Sequence, residues 1–276
     1  MATILSPLYT MLSFNDKILD FWKVYESIKR FYPIGIRKDE SGLFYSYPGL
    51  KELENIIVDN MHDESNLQTR WADFTSEIKH QVGKEIIGTT YGQAPAFSSF
   101  VLLEKATLPN LTRTKELHFF VSLIGPYYTV IGQDSNMVKM EGTSFLSTNY
   151  LVVSPENEFA DVFRLVCEEI ENRFEGYRFI PFEYCCQTID GLQVRYTHEN
   201  LNAVFHALFN NQVDITTQNY IGNRFYKSED WIKEGWVNPG GEWAIYPPIE
   251  YPSAAANIML IKNYIKVTEC CYLNVA

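Results

Sequence analysis

The sequence lacks the short motifs by which proteins most often bind phosphates or build a serine nucleophile. It contains neither a Gly-x-Gly-x-x-Gly turn nor a P-loop, and no serine stands in a Gly-x-Ser-x-Gly elbow. The sequence therefore lacks two common phosphate-binding motifs and one common motif of acyl-transfer enzymes. We predict no bound cofactor from this sequence.

Cysteine is scarce, and its spacing is typical of neither a disulfide framework nor a zinc site. The number is odd, and two vicinal pairs stand where a Cys-x-x-Cys spacing would be needed. We therefore predict no metal site and expect mostly buried thiols in a reducing cytosol. The five cysteines are Cys167, Cys185, Cys186, Cys270 and Cys271.

Positive charge is also in deficit. The 276 residues carry 23 Lys and Arg against 34 Asp and Glu, which gives a net charge of −11. Nucleic acids and anionic lipid surfaces both require a cationic face, so this balance argues against either as a partner. It favours a basic protein as the partner.

Long apolar runs of the kind that cross a membrane are missing. The longest uncharged apolar stretch, 117–133, is divided by Gly125 and Pro126, and a spanning helix needs about 20 apolar residues. The N-terminal residues have no basic segment before an apolar run, which is unlike a signal peptide. We predict no membrane association and a cytoplasmic location.

The order of hydrophobic patterns predicts an α+β protein. Residues 13–83 repeat apolar side chains at helical spacing, and from residue 84 the period changes to that of β-strands. A regular βαβ alternation is missing, which favours a largely antiparallel sheet with interspersed helices. We predict one compact unit over 1–276, with the helical region 13–83 packed on the sheet-rich region 84–276.

Local patterns also predict shorter elements. Residues 43–47 are rich in aromatic side chains and predict a short strand or loop. Residues 177–189 predict a long strand in which Cys185 and Cys186 point to opposite faces, and residues 192–196 predict a returning strand. Residues 199–209 predict a short helix.

The clearest helical pattern, over residues 156–175, carries a row of acidic side chains. Asp161, Glu168, Glu171 and Glu175 recur at helical spacing opposite an apolar stripe. A solvated outer face is one interpretation. The other is a docking face for a basic partner, because such a partner would relieve the repulsion between neighbouring carboxylates and accelerate encounter.

An aromatic-rich segment spans residues 220–251. It contains Trp231, Trp236 and Trp243, which are either anchors that hold an irregular segment to the body or a binding surface. Large rings with a polar tip bury much area at a small entropy cost, which is why they are enriched in binding hot spots.

Histidine and cysteine offer a weaker case for catalysis. His118 falls on a predicted strand and His198 precedes a predicted helix, so the two could approach a cleft together with carboxylates. Cys185 would need a histidine partner to act as a nucleophile, and only neighbouring strands would bring His118 to it.

Together these features predict a cytosolic, non-catalytic interaction protein. A bacterial immunity-type inhibitor that occludes a basic toxin fits the acidic face and the candidate aromatic hot spot. We expect Asp161, Glu168, Glu171 and Glu175 to steer the partner and the three tryptophans to anchor it. The alternatives are a hydrolase or transferase with a site near His118 and His198, and a carbohydrate or small-ligand module that uses the tryptophans.

Overall fold

The computed structural model describes residues 21–139, 145–153, 157–215, 243–245 and 265–268. For residues 145–147, 183, 243–245 and 265–268 it describes the backbone alone. Over these ranges, helices combine with an antiparallel sheet, so the predicted α+β class is confirmed. The α-helices are α1 Phe21–Phe31, α2 Ser41–Tyr45, α3 Pro48–Ile57, α4 Glu64–Leu67, α5 Asp73–Val82, α6 Ala160–Arg173, α7 Phe182–Cys186 and α8 Val204–Leu208.

The helical segment before the sheet is interrupted twice by π-helical turns. These are Val58–His62 and Gln68–Ala72, and they link α3, α4 and α5. Pro48 occupies the first turn of α3, and the Asp63 carboxylate accepts a hydrogen bond from the Asn66 amide at the start of α4. Gly83 ends α5 with a φ of 65°, which glycine adopts without steric penalty.

A six-stranded sheet follows in near-sequential order. Its strands run β1-β2-β3-β4-β5 with antiparallel pairing, and β6 pairs in parallel with the start of β4. A second sheet has the order β7-β9-β8. The strands are β1 Ile86–Gly88, β2 Ala96–Leu108, β3 Leu111–Ser122, β4 Tyr127–Lys139, β5 Phe145–Val152, β6 Arg178–Phe179, β7 Thr188–Ile189, β8 Trp243–Ile245 and β9 Ile265–Thr268.

Helices cover both faces of the six-stranded sheet. On one face, Trp71 stacks on Phe97 of β2 with ring centroids 5.3 Å apart, and Phe163 of α6 packs edge-on against Phe179 of β6. We refer to this side as the α5/α6 face. Gly132 of β4 leaves room for Phe159, which directly precedes α6, because a Cβ at Gly132 would lie 2.9 Å from the Phe159 ring.

The opposite side of the sheet is covered by α1, α7 and α8, and we refer to it as the α1/α8 face. Phe205 of α8 packs edge-on against Phe120 of β3, with ring centroids 5.1 Å apart. The Tyr127 hydroxyl of β4 lies 3.4 Å from the Ser27 hydroxyl of α1. Because helices cover both faces of the sheet, bulky apolar side chains of β3 can point to either face.

Only part of the sheet lies between these layers. We call residues 96–103, 117–122 and 127–132 the packed half, and residues 104–116 and 133–139 the outer half. A register shift between Leu102 and Glu104 marks the boundary on β2, and every residue of β2 from Glu104 onward is exposed.

Three local predictions were wrong, and a fourth gave the correct element with bounds that were too wide. Residues 43–47 overlap α2, not a strand. Residues 177–189 hold β6, α7 and β7 in place of one long strand. Cys185 and Cys186 lie in α7, and both are buried. A short apolar run that is buried on all sides fits a helix as well as a strand, which is why the pattern did not identify this helix. Residues 192–196 form no strand; β7 pairs instead with β9. The helix expected over 199–209 is confined to α8.

Among the described residues, the longest helix is far too short and too polar to cross a lipid bilayer.

Candidate functional site

The acidic residues singled out in the sequence lie on the outer side of α6 and just after it. Asp161, Glu168, Glu171 and Glu175 are all exposed. They are not equivalent, however. The Asp161 carboxylate lies 3.4 Å from the Arg164 guanidinium, and Glu171 accepts a hydrogen bond of 2.6 Å from the Tyr128 hydroxyl. Glu171 therefore also has a structural role, because it satisfies a buried phenol of β4.

The predicted aromatic anchors fall outside the described residues. Trp231 and Trp236 lie in a part of the chain that the structure does not describe, and Trp243 is the first residue of β8, of which only the backbone is described. Their role as a binding surface, and that of the segment 220–251, stays a prediction.

The candidate catalytic histidines have different surroundings. His118 is buried on β3, where its Nε2 atom lies 3.1 Å from the Glu116 carboxylate and its ring packs against Phe100 and Phe120. His198 is exposed in the loop between β7 and α8. Among the described residues, no group of three His, Cys, Asp or Glu side chains has the geometry of a metal site.

The cysteine thiols described by the structure are built into the core. The Cys185 sulfur lies 3.7 Å from the Thr129 hydroxyl and 3.7 Å from the Ile180 carbonyl oxygen. Cys167 on α6 is fully buried, and its burial raises the pKa of the thiol. Because the thiolate is the reactive form, this environment makes Cys167 a poor nucleophile.

The described residues also form a groove that the sequence did not reveal. It lies on the α5/α6 face, between α5 and the edge strand β1, and has a volume of about 550 Å³. This size falls in the range of small-ligand and peptide sites. The groove is lined by Met61, Leu67, Trp71, Ala72, Thr75, Ser76, Lys79, Ile86, Gly88, Thr90, Gly92 and Ser99.

Both π-helical turns contribute to the groove. Met61 belongs to the first turn, and Trp71 and Ala72 belong to the second. Single π-helical turns inside helices recur at functional sites, because the extra residue redirects side chains that a regular helix would place elsewhere. The groove is thus assembled by the most irregular part of the helical region.

Trp71 supplies the buried wall of the groove. It is only 4% exposed and packs between Phe97 and Phe119, but its indole Nε1 has no hydrogen-bond acceptor among the described residues. A buried donor without an acceptor is costly. Because this N–H is shielded from solvent, Trp71 contributes an apolar surface to the groove and not a polar contact.

The polar side chains of the groove are mostly hydroxyls, with a single cation at the rim. Thr75 and Ser76 of α5 face Thr90 and Ser99 of the sheet side. Among the described lining residues, Lys79 is the one charged side chain, and it forms no ion pair with a described carboxylate. The groove therefore combines an apolar wall with a local positive charge in a protein of net charge −11.

Sequence patterns gave little warning of this site. Trp71 fits the apolar stripe of a regular helix, and this spacing correctly predicts that it is buried. The spacing does not predict that Trp71 lines a groove. Thr75, Ser76 and Lys79 look like ordinary exposed residues of an amphipathic helix. The groove arises only because the π-helical turns and β1 meet at the edge of the sheet.

Comparison of the chain with protein-family models, with curated proteins and with solved structures finds no match.

Proposed function

We propose that this protein is a non-catalytic interaction protein that uses its acidic helices to bind a basic protein partner. The observation that carries the proposal is the uneven charge of its two helical layers. Helices α5 and α6 carry six acidic and three basic side chains, whereas α1, α7 and α8 together carry two acidic and three basic ones.

This asymmetry has a physical consequence for encounter with a partner. Charges of one sign on one surface create a potential that attracts a basic partner and orients it before contact. Glu168 and Glu175 are exposed and have no described ion-pair partner, so a cation from another protein can approach them. Asp161 and Glu171 contribute to the same potential, although each already contacts a neighbour.

The finer form of the proposal is a cytosolic immunity-type inhibitor. Toxins that act on nucleic acids are often basic, because they must bind phosphate. An acidic helical layer that covers such a surface would occlude the active site. Trp231, Trp236 and Trp243 would anchor the complex through their large apolar rings.

The test compares two charge-reversed variants that have the same net charge. The first carries Glu168→Lys and Glu175→Lys on the α6 side. The control carries Glu26→Lys on α1 and Glu199→Lys in the loop before α8, and all four positions are exposed. A basic partner is isolated from the source cells with the wild-type protein, and its association rate is then measured with each variant at low and high salt.

We expect the α6 variant to associate about tenfold more slowly at low salt and the control to stay near the wild-type rate. High salt should reduce the difference, because it screens exposed charges. Equal slowing in both variants would show that only net charge matters. An unchanged rate in the α6 variant, or substrate turnover that His198→Ala abolishes, would contradict the proposal.

A further inference from the structure

The edge strand β1 presents unpaired peptide groups to its open side. The Leu102 amide donates to the Glu85 carbonyl, and the Thr89 amide donates to the Ser98 carbonyl, each at 2.9 Å. In an antiparallel pair the residues that bond to the partner strand alternate with residues that point away from it. With Ile87 opposite Phe100, the peptide groups of Ile86 and Gly88 therefore point away from β2.

The two residues whose peptide groups point outward also belong to the lining of the groove. Ile86 and Gly88 both line it, and they form no hydrogen bond with another described residue. Gly88 is exposed and Ile86 is half-buried, so solvent reaches this edge. A chain lying between β1 and α5 would meet the outward N–H and C=O groups on one side and Thr75, Ser76 and Lys79 on the other.

We propose that this groove binds an extended peptide segment, which adds to the sheet as a strand beside β1. The occupant is a segment of a partner protein with an apolar side chain directed toward Trp71 and a carboxylate placed near Lys79. The main-chain hydrogen bonds supply affinity, and the side-chain contacts supply specificity, as in other cases of strand addition.

Three features of the groove define the chemistry of this segment. Side chains of an added strand alternate between the two faces of the sheet, so every second one enters the groove. The apolar wall formed by Met61, Leu67 and Ile86 favours an apolar side chain there. Lys79, the charged side chain of the groove, favours a carboxylate on the segment.

Gly88 offers a substitution that separates strand addition from folding. Proline at this position removes the outward N–H without removing a hydrogen bond to β2, and proline is tolerated on edge strands in this orientation. A Cβ added at Gly88 meets no atom within 4 Å. Gly88→Ala is the matched control, because it adds a methyl group and keeps the N–H.

The experiment selects binders from a phage-displayed library of random seven-residue peptides on the full-length protein, with counterselection on the Gly88→Pro variant. Enriched peptides are synthesised with a fluorescent label, and their affinities are measured by anisotropy. We expect at least tenfold weaker binding to Gly88→Pro and less than threefold change for Gly88→Ala. Lys79→Met should weaken binding about twofold to fivefold, as for an exposed ion pair, while Lys51→Met on α3 should not.

Amide hydrogen exchange gives a direct second readout. Binding of an enriched peptide should slow exchange of the Ile86 and Gly88 amides, and thermal unfolding should show that the variants remain folded. The proposal is overturned if no peptide is enriched over the counterselection, or if enriched peptides bind the Gly88→Pro variant as tightly as the wild type. The Glu168→Lys and Glu175→Lys variant should bind these peptides normally, so failure here is distinguishable from failure of the proposed function of α6.

Discussion

The packed half and the outer half of the six-stranded sheet belong to the same strands but are stabilised in different ways. In the packed half, rings such as Phe119 and Phe120 are fully buried between two layers of helices. In the outer half, charged side chains pair across neighbouring strands, for example Arg113 with both carboxylate oxygens of Asp134 at 2.8 and 3.2 Å. Burial of apolar area dominates the first half, whereas cross-strand ion pairs organise the second.

Strand length and core size are therefore separate properties of this sheet. Strands β2, β3 and β4 continue for several residues beyond the helices that cover them, and Leu108 at the far end is 60% exposed. Hydrogen bonding between strands extends the sheet, but helices must cover its faces before apolar burial adds to stability. Changes in the two halves should therefore have effects of different size.

The largest effect is expected from Phe119→Ala in the packed half. Phe119 is completely buried and contacts Trp71 and Phe74, so its removal leaves a cavity under α5. We expect the free energy of unfolding, measured in urea, to fall by about 3–5 kcal/mol. The matched substitution Leu108→Ala in the outer half should change it by less than about 0.5 kcal/mol. Comparable losses would show that the outer half contributes a core of its own.

A second, smaller effect concerns the pH dependence of the α1/α8 face. Burial lowers the pKa of His206 to about 4, although the exposed Asp214 acts in the opposite direction. The unfolded chain, with a histidine pKa near 6.5, then binds more protons than the native protein between pH 6.5 and 4. Stability should therefore be greatest above pH 6.5 and fall on acidification by at most about 1.4 kcal/mol per pH unit.

His206→Gln should flatten this acid-side decline in the free energy of unfolding, measured in urea from pH 8 to pH 4. His198→Gln serves as the control, because that side chain is exposed. An acid-side slope that stays the same in His206→Gln would assign the decline to other groups.

The smallest effect is expected from Lys115→Met in the outer half. The Lys115 ammonium forms ion pairs with Glu104 at 3.2 Å and with Glu158, and its side chain is only 10% exposed. Burial alone would lower the pKa of Lys115, but its hydrogen bonds to Glu158 and Glu104 outweigh burial and raise the pKa. We expect a loss of about 1–2 kcal/mol, between the values for exposed pairs and for buried charged hydrogen bonds.

The control for this substitution is Lys105→Met, which removes the same charge from an exposed position on β2 and should have almost no effect. Because the folded-state pKa of Lys115 is raised, its contribution is complete at neutral pH. It should disappear only as the pH rises through that raised value, well on the alkaline side. Equal losses for Lys115→Met and Lys105→Met would show that the buried pairing does not matter.

Much of the fold could be predicted because its signals are local. The stripe of Phe163, Val166 and Ile170 identifies α6, and all three residues are buried as the helical period predicts. Gly83 marks the end of α5 through its left-handed φ. Strands β1 to β5 follow the change to a strand period expected from residue 84, and β2, β3 and β4 continue into outer halves that carry charged and polar residues.

The two candidate sites differ in whether a sequence pattern can predict them. The acidic row on α6 was visible because helical spacing alone places Asp161, Glu168 and Glu171 outward. The groove could not be predicted, because Trp71, Lys79 and Gly88 belong to three different elements and form no known sequence motif. Likewise, the hydrogen bond from Tyr128 to Glu171 joins residues 43 positions apart, which no periodicity predicts.

The α+β class, the acidic character of α6 and the ends of several helices depend on side chains within a few turns of one another, so sequence patterns are enough to predict them. Three other features depend on contacts between distant segments: the helical state of α7, the position of Trp71 against the sheet, and the outer peptide groups of β1, which stay unpaired among the described residues. A buried segment can satisfy either the helical or the strand period. Which peptide groups and side chains find partners depends on strand register and on helices contributed by distant parts of the chain.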